Sequence, residues 1–304
     1  MYPPPQDIET SFYTRVPAEL RKTAITKERL AAGRGAPKAG ANLGGPAFDR
    51  AGNLYLVDNC YGRIFRADPG GRVEAMAEYD GEPNGLRIHR DGRIFVADTK
   101  QGIVLFDPDD GSITPVVSRY NTGHFLGVND LIFSRNGDLW FTDPGQSDLR
   151  DPIGRVFRLR TTGEVLLVAD KLPGPTGLVF NGAEDTLYVA VAGANAIWRL
   201  PLTPGGTVAR MGLAQQLAGG TGPAGIAMTE DGGLAVAQPG TGSVWIFDRH
   251  GAPIYRVYSC AGDNVTNITW GGTGCRTLYI TENDSGAVLM AQMPLAGRVP
   301  YSHT

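Results

Sequence analysis

One unit, repeated six times, decides what this chain can fold into. Its clearest copy runs Asn129-Asp130-Leu131-Ile132-Phe133, a turn Ser134-Arg135-Asn136-Gly137-Asp138, then Leu139-Trp140-Phe141-Thr142-Asp143-Pro144. Alternating apolar residues, β-branched or aromatic neighbours and Asn-Gly at the tip are the pattern of a β-hairpin. The other copies begin at Gly44, Asn84, Thr176, Ala224 and Thr266. After each hairpin a third strand follows, such as Arg63-Ile64-Phe65-Arg66 or Val244-Trp245-Ile246-Phe247, then a turn and a fourth, such as Val165-Leu166-Leu167-Val168. A repeat of roughly 40 to 48 residues with four strands per unit is the signature of a propeller blade. The chain is therefore predicted to be all-β: a six-bladed β-propeller over residues 43–304, with residues 1–42 as an N-terminal extension.

The last repeat runs short of sequence, because only ten residues follow Pro294. A ring of blades must close or leave a bare strand edge. A segment around Thr23 to Ala31 is predicted to supply the outer strand of the sixth blade.

Composition narrows the function classes. With 42 glycines, 21 prolines and no low-complexity tract, the chain has the turn residues that many short strands need. A net charge of −3 leaves no basic footprint for nucleic acid or an anionic membrane. No window approaches the ~20 apolar residues of a membrane span, and Met1 to Asp7 shows no basic-then-apolar secretion signal. Three cysteines, Cys60, Cys260 and Cys275, are too few for a disulfide framework and read as reduced thiols. The expectation is a cytoplasmic monomer or homodimer acting on a small molecule.

The repeat also sorts the loops. Tight Asn-Gly, Asp-Gly and Asp-Pro turns join first to second and third to fourth strands on one face. The opposite face carries the inner-strand starts and two long loops, Arg119 to Val128 and Pro144 to Gly154. Function concentrates on such loops and on the channel they surround. The inner-strand starts form one ring: Gly44, Asn84, Asn129, Thr176, Ala224 and Thr266. The second-strand ends form another: Asp58, Asp98, Asp143, Val191, Gln238 and Glu282. From these rings and the flanking loops the candidate catalytic residues are His124, whose imidazole suits proton transfer near neutrality, Asn129 and Asp143. Asn84, Tyr61, Gln238 and Glu282 are candidate substrate-binding residues. Asp58 and Asp98 are as well explained as caps of their own turns. Asp130 alternates with Asn129 and is expected to face into the blade.

The motifs Gly45-Pro46-Ala47-Phe48-Asp49, Asn129-Asp130 with Leu139 to Pro144, Gly177-Leu178-Val179-Phe180 with Thr186 to Ala190, and Thr266 to Gly272 with Arg276 to Thr281, in this order and spacing, resemble the senescence marker protein/gluconolactonase/luciferin-regenerating-enzyme-like family. The resemblance implies a six-bladed propeller and a lactonase using one divalent cation, commonly calcium or zinc. It also implies that the ligands include a Glu opening Glu-Gly-Pro in the first blade, an Asn opening Asn-Gly in the fourth and an Asp opening Asp-Gly in the fifth. Here those positions are Gly44, Thr176 and Ala224, and only Asn129 keeps the family's amide. Calcium takes about 6 to 8 oxygen ligands, normally including carboxylates, and the first ring has none. The expectation is that no metal is bound, unless the second-ring carboxylates substitute. Three readings follow: a hydrolase of a small lactone or related cyclic ester with an altered or absent metal site; a metal-independent lyase, isomerase or condensing enzyme resembling the strictosidine synthase branch; or a non-catalytic binding propeller.

Overall fold

The computed structural model describes residues 3–25 and 35–304. Six sheets follow one another in the chain, and each begins with its innermost strand: Leu43–Phe48, Pro83–Ile88, Leu131–Phe133, Pro175–Phe180, Ile226–Met228 and Val265–Gly271. Each sheet then runs outward by antiparallel neighbours, giving the six four-stranded blades that the repeat predicts.

Burial follows position in the blade. The second strands Leu54–Asp58, Ile94–Asp98, Leu139–Asp143 and Leu234–Gln238 are buried at every residue, because a neighbouring blade covers each of their faces. Outer strands such as Val73–Glu78 are only partly covered. The apolar clusters lie between blades: Tyr55, Val57 and Ile64 of the first pack with Leu86, Ile94 and Val96 of the second. Stability is thus spread around the ring.

Closure uses the N-terminal extension, at a different segment from the one expected. Ser11–Arg15 pairs antiparallel with Ala287–Gln292 as the outer strand of the sixth blade, with Ser11 opposite Met290 and Arg15 opposite Ala287. The run Ser11-Phe12-Tyr13-Thr14-Arg15 has the aromatic and β-branched residues that a pleated edge favours. The expected strand around Thr23 to Ala31 is not this one: Thr23–Ile25 form no strand, and residues 26–31 lie outside the described residues. Just before the closing strand, Gln6–Glu9 adds a fifth strand to the fifth blade, parallel to Pro253–Tyr258. Among the described residues no helix is long and apolar enough to cross a membrane.

Candidate functional site at the channel mouth

The inner-strand starts converge on one pocket of about 210 Å³ at the end of the channel. All six first-ring positions, Gly44, Asn84, Asn129, Thr176, Ala224 and Thr266, line it. Around them stand further amides from Asn42, Asn59, Asn264, Asn267 and Asn283. The wall is hydrogen-bonding and almost uncharged.

Several of these amides are fixed. The Asn84 side chain donates to Thr99 Oγ1 at 2.6 Å and to the carbonyls of Glu82 and Val128, while its Oδ1 accepts from Asn59 Nδ2 at 2.9 Å. Asn283 Nδ2 donates to Asn42 Oδ1 at 2.6 Å, and its Oδ1 accepts the Leu43 N–H. By contrast, the side chains of Asn129 and Asn264 make no hydrogen bond to any described residue. They are half-buried and face the pocket with their donors and acceptors free.

Among the described residues, Asp130 is the one titratable residue lining the pocket. It is 1% exposed. Its Oδ1 accepts the Leu131 N–H at 2.9 Å, but Oδ2 has no hydrogen-bond partner. The nearest cation is Arg87, whose Nη2 lies 3.6 Å from Oδ2. Burial pushes the Asp130 carboxyl above the ordinary carboxylate range; Arg87, the Leu131 N–H and the Asn267 side chain offset this in part.

The side chain reaches the channel because its neighbours leave room. The residue after each inner-strand start is Gly45, Gly85, Asp130, Gly177, Gly225 and Asn267 in turn. A Cβ on Gly85 would stand 2.7 Å from Asp130 Oδ1, and one on Gly225 would stand 2.5 Å from Asn267 Oδ1. Four glycines and two polar side chains make up this layer. The polar pair comes from the third and sixth blades, which face each other across the ring. The expectation that Asp130 turns into the blade is therefore corrected: regular pairing of this strand begins only at Leu131, so strand alternation does not govern Asp130.

The other expected site residues lie elsewhere. Asp143 is fully buried inside the third blade, where Oδ2 accepts from Arg155 at 2.5 Å and Oδ1 from the Gly127 N–H at 2.8 Å. Burial outweighs these contacts and raises its pKa. Glu282 accepts the N–H groups of Asp284 and Ser285 together with the Ser285 hydroxyl. Gln238 donates to the carbonyls of Ala218 and Gly219 and accepts from Trp245 Nε1. Asp58 and Asp98 likewise accept backbone N–H groups from the turns that follow them, and Asp58 pairs with Arg63 at 2.5 Å. These side chains tie strand ends to turns, and none lines the pocket. Tyr61 donates to the Lys22 carbonyl at 2.6 Å. His124 stands exposed on a small hairpin, Arg119–Tyr120 with Gly123–His124, away from the pocket lining. Of the expected residues, the structure brings Asn84 and Asn129 into the pocket.

The donor set argues against a divalent cation. Gly44, at the family's glutamate position, has no room for a side chain: a Cβ there would lie 2.5 Å from the Asn84 carbonyl oxygen. Thr176 turns its hydroxyl to the Pro223 carbonyl at 3.0 Å, and Ala224 offers no side-chain ligand. The second-ring carboxylates point into their turns, and among the described residues no three His, Cys, Asp or Glu side chains cluster as a metal site would need. One carboxylate facing an arginine does not neutralise a dication.

A propeller with a polar pocket at the inner-strand starts defines the class, and sequence comparison supplies the family. The SMP-30/gluconolactonase/LRE-like family model matches residues 44–283, and the chain belongs to that family. Lactonase drp35 of Staphylococcus saprophyticus is 30% identical over 72% of this chain and 70% of its own length. The Staphylococcus aureus lactonase drp35 (strain MW2) is 28% identical over 83% of this chain and 82% of its own. Among solved structures, XC5397 of Xanthomonas campestris, described as a gluconolactonase, matches with a TM-score of 0.74 and 25% identity over 93% of this chain and 99% of that one.

Proposed function

We propose that this protein hydrolyses a small lactone or related cyclic ester at the channel mouth without a divalent cation, using Asp130 as its proton acceptor. The observation that carries the reading is that, among the described residues, Asp130 is the one titratable side chain lining the pocket and keeps a carboxylate oxygen without a hydrogen-bond partner. Membership of the family, and relatives named as lactonases, support lactone opening as the reaction.

In this reading the ring carbonyl sits against the free amides of Asn129 and Asn264, whose N–H groups receive the charge that develops on oxygen. Asp130 takes a proton from the attacking water as the new acyl carbon–oxygen bond forms. The acyl–ring oxygen bond then breaks, and the ring oxygen takes the proton back, leaving a hydroxy acid. Asn84, held by four hydrogen bonds, keeps the mouth rigid while this happens. A pocket near 210 Å³ suits a compact substrate.

The test is a panel of aldonolactones and short aliphatic lactones assayed by proton release with excess chelator present. Turnover that persists in chelator and falls at least about a hundredfold in Asp130→Asn supports the reading. No turnover of any lactone, with or without added calcium, zinc or manganese, overturns it.

A further inference from the structure

The channel has a second mouth, and it is chemically unlike the first. The far ends of the inner strands enclose a cavity of about 390 Å³ whose walls include Phe48, Ile132, Phe133, Phe180, Ala227 and Trp270. Tyr301 of the C-terminal segment lies across it, stacked on Phe133 with ring centroids 5.2 Å apart at 24°.

Charge at this end is one-sided. Among the described residues, Arg87, Arg90, Arg135 and Arg298 line the cavity, against one side-chain carboxylate, Glu184. Glu184 is already shared, at 3.3 Å from Arg298 and 3.8 Å from Arg135. The terminal residue Thr304 is held by Arg50. Arg87 is paired with Asp130 at 3.6 Å, whereas Arg90 stands over the Tyr301 ring at 5.5 Å with no carboxylate partner among the described residues. Trp270 also lines the cavity; it is 2% exposed, and its buried Nε1–H has no acceptor among the described residues. A buried donor without an acceptor costs about 1 to 3 kcal/mol, so donors and apolar surface here together ask for an acceptor with an apolar body.

We propose that this cavity binds a compact apolar monocarboxylate, of the aryl-acetate or short alkanoate type, with its carboxylate toward the arginines and its hydrocarbon among the aromatic residues. The site lies at the opposite mouth from the lactone pocket, and the two meet at Arg87, which lines this cavity and faces Asp130 at 3.6 Å; a test of binding here needs no lactone turnover.

The test is calorimetric titration of the full-length protein with phenylacetate and hexanoate, each compared with the corresponding alcohol. One-to-one binding of the acids, at least about tenfold tighter than of the alcohols, is expected. Arg90→Gln should weaken acid binding several-fold, Ala227→Phe should fill the cavity and abolish it, and Asn129→Ala at the other mouth should leave it unchanged. Should Ala227→Phe fail to fold, quenching of tryptophan fluorescence by a bromo-substituted hexanoate, absent in Trp270→Phe, reports the same cavity. Equal binding of acids and alcohols, binding lost in Asn129→Ala but kept in both Arg90→Gln and Ala227→Phe, quenching that persists in Trp270→Phe, or no binding at about 10 mM overturns the proposal.

Discussion

Asp130 and Asn267 hold the same place in opposite blades. Each side-chain oxygen accepts the N–H of the following residue, Leu131 or Ile268. Each backbone N–H donates to a threonine hydroxyl on the adjacent strand, Thr142 or Thr281. The two differ by one functional group, an amide in the sixth blade and a carboxyl in the third. The scaffold thus accepts a neutral side chain at this place, and at Asp130 holds an ionisable one. That the ionisable version serves chemistry at some cost in stability is the view from which the first expectation follows.

Asp130→Asn should reduce turnover about 10² to 10⁴-fold while making the protein more stable at pH 8. The sign follows from the raised pKa. Such an acid contributes its stability below the unfolded-state value near ~3.9 and loses it as pH rises through the higher folded-state value. The variant has no such loss, so its thermal midpoint should exceed the parent's by about 2 to 4 °C per kcal/mol recovered. That gap should close as the pH is lowered toward 4. A variant less stable than the parent at pH 8 would show that Asp130 supports the fold.

Asn129→Ala and Asn84→Ala should separate chemistry from scaffolding. The Asn129 side chain makes no hydrogen bond to any described residue, so its loss should lower turnover about tenfold or more with an unchanged melting curve. Asn84 has four polar partners, so its loss should lower the melting temperature as well. His124→Ala, on an exposed hairpin, should leave turnover within about twofold of the parent. Steady-state kinetics beside thermal denaturation distinguishes the three.

Dialysis against strong chelator should leave kcat unchanged, and metal analysis of the active protein should find less than stoichiometric divalent cation. Gly44→Glu, which restores the family's acidic residue, should not create a metal site: its Cβ would collide with the Asn84 carbonyl. Destabilisation without metal-stimulated activity is the expected result.

Arg63→Ala should be among the most damaging substitutions outside the pocket. Arg63 is 2% exposed and pairs with the fully buried Asp58. It also donates to the carbonyls of Leu20 and Gly40, fastening the N-terminal extension to the first blade. Removing one partner of a buried pair typically costs about 3 to 5 kcal/mol, read by chemical denaturation.

The fold was legible because a blade is a local object. Its hairpins, turns and apolar alternation all lie within one stretch of sequence, and six copies reinforce the reading. The ring Gly44, Asn84, Asn129, Thr176, Ala224 and Thr266 was legible for the same reason. Asp130 was misplaced because pairing with the second strand breaks register near the mouth in four blades and starts late in the other two. Alternation fails at such irregularities. A signal was nonetheless present: the next position reads Gly, Gly, Asp, Gly, Gly, Asn around the ring, and the two exceptions are the side chains that fill the channel. Asp143, Gln238 and Glu282 were placed near the correct face, but partners away from the pocket hold them inward: Arg155 and the Gly127 N–H for Asp143, the Ala218 and Gly219 carbonyls with Trp245 for Gln238, and the Asp284 and Ser285 N–H groups for Glu282. Long-range packing decided the rest, including which N-terminal residues close the ring.

That closure also sets a timetable. Ser11–Arg15 finds its partner Ala287–Gln292 only across ~280 residues of intervening chain. Synthesis runs from the N-terminus at about 5 to 20 residues per second, so the closing strand leaves the ribosome many seconds before its place exists. Until then it is an unpaired segment with Tyr13 and the adjoining Val16 uncovered. The seam is therefore the last part of the ring to form and the point where a second, half-made copy could supply the missing strand. Growth temperature and expression rate should govern the yield of this protein through that interval.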